Sequence, residues 1–79
     1  MTETVEQIAQ DYTAMRHSVA LITDVIAGEA LADETNAEKI ACVARNVEHL
    51  ELMVAKDYWT NEDMTAVNKA ITDGKAHIA

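Results

Sequence analysis

Apolar residues recur along this chain at intervals of three and four. Val5, Ile8, Tyr12, Met15, Val19, Ile22 and Ile26 are separated by 3, 4, 3, 4, 3 and 4 residues, the spacing that stacks side chains on one face of an α-helix. The run predicts a first helix over residues 3–27, with Thr4 and Gln7 as a capping box and Gly28 as the left-handed residue that closes it. Ile40, Val43, Val47, Leu50 and Val54 repeat the pattern and predict a second helix over residues 36–56, opened by Thr35 and Glu38 and antiparallel to the first. Between them "EALADET", residues 29–35, reads as a polar connection in which Leu31 folds back onto the helices. Met64, Val67 and Ile71, with Ala66 and Ala70 beside them, form a third stripe. They predict a helix over residues 61–73 that Gly74 ends, leaving "KAHIA" as a tail. Three amphipathic helices in one chain point to a single all-α domain over residues 1–79, a small three-helix bundle.

The stretch "DYWTNEDMTAV", residues 57–67, fits a helix start. With Thr60 as N-cap, Asp63 falls at the third helical position as its capping partner, and Trp59 faces Met64 as a hydrophobic staple. Asn61, Glu62 and Asp63 then occupy the first turn, where carboxylates meet the positive end of the helix dipole. A binding role for the same acidic groups is compatible with that arrangement.

Composition narrows the picture. The absence of proline and the dominance of Ala, Glu, Leu, Met and Lys favour helix throughout. Seventy-nine residues bury a modest core, and chains of this size usually gain stability from disulfides, a metal, self-association or very regular packing. One cysteine, Cys42, excludes an internal disulfide and suits a reducing compartment, although an exposed thiol could join two chains under oxidising conditions. Fourteen Asp and Glu against six Lys and Arg give a formal net charge of −8. Such a surface repels nucleic acid; it either keeps the chain soluble or attracts basic surfaces. Neither a signal peptide nor a membrane span is visible, so the expected location is the cytoplasm.

No catalytic or metal pattern emerges. His17, His49 and His77 include no pair four apart, and Cys42 and His49 lie two helical turns from each other, about 10 Å in rise. Ser18 has Arg16 and His17 as near neighbours, but adjacent helix residues point in different directions. Glu48 and Glu51 are adjacent on a helix face with nothing to desolvate either one. The sequence reads as a non-enzyme without cofactor or metal, and His17 and His49 as rim residues.

Two surface features remain. Ala14, Ser18, Leu21 and Val25 make a second stripe on the first helix, and Leu52 and Met53 lie off the main line of the second. Either each helix touches two others and needs a wide apolar arc, or these positions form a helix-pairing interface, with a partner's groove or, through Leu21, Val25, Leu52 and Met53, by self-association as in a homodimer. The carboxylates also cluster. Glu29, Asp33, Glu34 and Glu38 mark one end of the bundle, Asp57, Glu62 and Asp63 the other, and Glu48 and Glu51 the helix between. These are a solvated face, or a track that imitates a phosphate backbone and occupies a basic channel.

In size, charge and helix content, and in the segment "VEHLELMVAKDYWTNEDMTAVNKAI" over residues 47–71, the chain resembles the small phage-encoded anti-CRISPR proteins, in particular inhibitors of the type I-C class. The family has no diagnostic motif, so the resemblance transfers no residue role. It implies stoichiometric inhibition in the host bacterial cytoplasm: binding to the crRNA-guided surveillance complex Cascade, to block target DNA or nuclease recruitment. Acidic groups suit the first route, because a DNA channel is lined with Lys and Arg. The alternative from another class is a structural or regulatory phage component that acts by self-association.

Overall fold

The computed structural model describes residues 5–56, Trp59 and residues 62–79. Three helices follow one another: α1 (Val5–Ala27), α2 (Asn36–Val54) and α3 (Thr65–Ile78). Each packs against the other two, in a bundle 41 Å long and 20 × 18 Å across. The all-α three-helix architecture is the expected one.

The core is set by that triangular packing. Met15, Ile22 and Val25 of α1, Cys42, Val43, Val47 and Leu50 of α2, and Val67 and Ala70 of α3 are buried together with Trp59. The stripe read from spacing alone runs slightly askew of this line. Ser18 and Val25 are buried on α1, whereas Val5 and Ile26 of the expected seam are 83% and 38% exposed. A helix with two neighbours buries an arc wider than one heptad seam, which accounts for the second stripe of α1.

The first connection is closed by its backbone. Gly28 adopts φ 80°, its N–H donates to the Val25 carbonyl at 3.1 Å, and the Glu29 N–H donates to the Asp24 carbonyl at 2.8 Å. These two bonds make a Schellman motif, as the glycine led us to expect. Leu31 also takes a positive φ, 55°, while its side chain packs on the core. Thr35 then caps α2, its Oγ1 accepting from the Glu38 N–H at 3.2 Å. Thr4, the expected capping partner of Gln7, lies outside the described residues.

The third helix departs from expectation at both ends. It starts at Thr65 rather than residue 61, with Met64 at the N-cap position. Asp63 accepts a hydrogen bond from the Thr65 N–H at 2.9 Å, the two-residue reach of an Asx turn. Glu62 and Asp63 therefore precede the first turn instead of filling it; Thr60 and Asn61 lie outside the described residues. Trp59 is anchored to the other helices: its Nε1–H donates to the Met53 carbonyl at 2.7 Å, and its ring tilts against Tyr12 at 6.0 Å between centroids. At the far end Gly74 does not stop the helix. It is buried inside α3, which runs on through the supposed tail to Ile78, because the missing side chain lets α3 approach Val43 and Val47 of α2 closely.

Candidate functional site

The fold distributes the carboxylates over both ends and one flank. Glu29, Asp33 and Glu34 are exposed in the α1–α2 connection, and Glu38 is exposed in the first turn of α2. Glu48 and Glu51 are exposed farther along the same helix, and Glu62 and Asp63 are exposed just before α3. Asp57 lies outside the described residues. Glu51 is held by Lys75 of α3, Nζ to Oε2 2.9 Å, so part of its charge serves the α2–α3 contact. Among the described residues Glu29, Asp33, Glu34, Glu38, Glu48 and Glu62 form no ion pair.

Asp63 has a local role. Hydrogen bonds from the Thr65 hydroxyl and then from its backbone hold the Asp63 carboxyl below the usual carboxylate range, against a small opposing effect of desolvation and with a further pull from Arg16. It is a capping group whose charge is also available to solvent.

The residues singled out for self-association differ in exposure. Val25 is 3% exposed and belongs to the core, and Leu21 and Met53 are half-buried against it. Leu52 alone stands out, at 64%. The correction follows from the triangular packing: positions that lie off one helix–helix seam are used in the other.

One contact was not foreseen. Ser18 of α1 and His49 of α2 meet across the helices, Oγ to Nδ1 2.7 Å. They share a groove of about 640 Å³ with His17, Thr13 and Ala14. Sequence reasoning placed His49 on a helix rim and Ser18 in the second stripe of the first helix, but the axial offset that brings residue 18 opposite residue 49 is not encoded in the periodicity of either helix. A serine–histidine pair invites a nucleophile reading. Here the Ser18 side chain is buried, and Ser18 is the one hydrogen-bond partner of His49 among the described residues. The pair is a polar cross-link between α1 and α2.

Among the described residues no three His, Cys, Asp or Glu side chains are grouped to hold a metal ion, and no helix is long and apolar enough to cross a membrane. No protein-family model, curated protein or solved structure matches the chain.

Proposed function

We propose that this protein is an anti-CRISPR inhibitor, which binds a type I Cascade through its acidic surface and keeps target DNA out of the basic channel. The observation that carries the reading is the set of exposed carboxylates left without internal cations: Glu29, Asp33, Glu34 and Glu38 at one end, Glu48 along α2, and Glu62 at the other end. They sit on a rod 41 Å long, about the rise of 12 base pairs of duplex at ~3.4 Å each. A rigid helical scaffold holds such charges at fixed spacing, so little conformational freedom is lost on docking. Asp57, Glu51 and Asp63 complete the acidic set, the last two with structural duties as well.

The test is charge reversal at exposed positions that form no ion pair among the described residues. E34K/E38K and E48K/E62K are each expected to weaken capture by purified type I-C Cascade more than tenfold, with unchanged helicity by circular dichroism. The wild-type chain is expected to compete with target duplex for the same complex. Unaltered affinity in both variants would remove DNA mimicry, and no binding by the wild-type chain would remove the Cascade assignment itself.

A further inference from the structure

The outer groove between α1 and α3 lies opposite α2, away from most of the acidic groups. Val19, Ile22 and Ile26 face Ala66 and Ala70 there across a hollow of about 350 Å³. The alanines keep the α3 side low. Ile26, 38% exposed, stands at the mouth and also borders a second hollow of about 380 Å³ beside Ile40, itself 40% exposed. On a molecule of net charge −8 this groove is locally neutral. The one carboxylate among its lining residues is Asp73, bridged by the one cation, Lys69.

We propose that a second copy of the chain docks on this face, α3 against α3 about a twofold axis. The charge pattern fits that occupant. Lys69 and Asp73 are one turn apart on α3, and a twofold axis that runs the two copies of α3 antiparallel places each Lys69 opposite the other copy's Asp73. Elsewhere a second copy meets like charge: Glu34, Glu38 and Glu48 would confront each other if α2 mediated the contact, whereas a basic foreign partner would prefer those same surfaces. A chain of 79 residues is also of the size that commonly gains stability by association. The face differs from the one suggested by Leu52, and the proposal does not depend on Cascade as the partner. In the dimer both α2 helices point outward, with Glu38 and Glu48 exposed.

Sedimentation equilibrium or light scattering on the full chain decides it. The expected mass is twice the 8.7 kDa of one chain. Ala66 is exposed on α3, so A66E keeps the fold and is expected to yield monomer with unaltered helicity; I26E is expected to do the same. L52E, on the opposite side, is expected to remain a dimer. K69E is expected to weaken association at least tenfold, and K69D/D73K to restore it. A monomer at every concentration up to the millimolar range overturns the proposal. So does a dimer that survives both A66E and I26E, or one lost in L52E alone.

Discussion

Gly28 and Gly74 are the two glycines of the chain, and each is required for a different reason. At Gly28 an added Cβ would meet nothing within 4 Å, but φ is +80°, a conformation that costs an L-residue about 1–2 kcal/mol. G28A is therefore expected to destabilise by about 1 kcal/mol in urea titration, with an unchanged m-value. At Gly74 the backbone is helical, and an added Cβ would collide with Val47 Cγ2 and press on Val43 Cγ1 at 3.3 Å. Overpacking of this kind costs about 1–3 kcal/mol, which the ~1 kcal/mol gain in helix propensity only partly offsets. If the collision is the cause, G74A is rescued in part by V47A; a G74A variant as stable as the parent would show that the helices separate freely. The third residue with a predictable signature is Asp63. Its carboxyl titrates below the usual range, so whatever it contributes to the start of α3 is fully present above the ordinary carboxylate pKa and is lost as pH falls through its own lower value. The Thr65 amide resonance is expected to follow the Asp63 titration, and in T65A the midpoint is expected to rise. A T65A midpoint equal to the wild-type one would remove the hydroxyl bond as its cause.

At the level of whole elements, the Thr35 cap and the Trp59 anchor fix where the connections lie. T35A removes the acceptor of the Glu38 N–H and is expected to cost about 1 kcal/mol. W59F keeps most of the buried ring but leaves the Met53 carbonyl without the indole donor, a loss of about 1 kcal/mol that equilibrium denaturation would register. The extents of α1 and α2 were legible because apolar spacing and caps agree there: Gly28 and Thr35 both act as their residue types suggest. α3 was displaced because two local signals pointed elsewhere. The "TNED" stretch suits an N-cap, yet Asp63 turns to Thr65; a glycine near a helix end suggests a stop, yet Gly74 serves a helix–helix contact invisible in one dimension. The acidic surface was readable, since carboxylates rarely leave water unpaired. The Ser18–His49 contact was not, because it depends on how α1 slides and rotates against α2.

The molecule as a whole is a short rod whose interior uses all three helix pairs and whose exterior is mostly anionic. Long-range attraction to a basic partner decays over roughly 8 Å at physiological ionic strength, so if the proposed function holds, association with Cascade is expected to slow severalfold between low and physiological salt. A rate indifferent to salt, in stopped-flow measurement, would argue against electrostatic capture. The sulfur of Cys42 adds an experimental handle. It is buried on α2, and the Asn46 side-chain amide donates to both its carbonyl, at 2.8 Å, and its Sγ, at 3.6 Å. A thiol shut away like this is slow to oxidise in air, so linkage of two chains through it is not expected while the helices stay closed. Alkylation of that single sulfur becomes a clock: each modified molecule records one excursion of α2 from its neighbours, and the labelling rate reads out how often the bundle breathes.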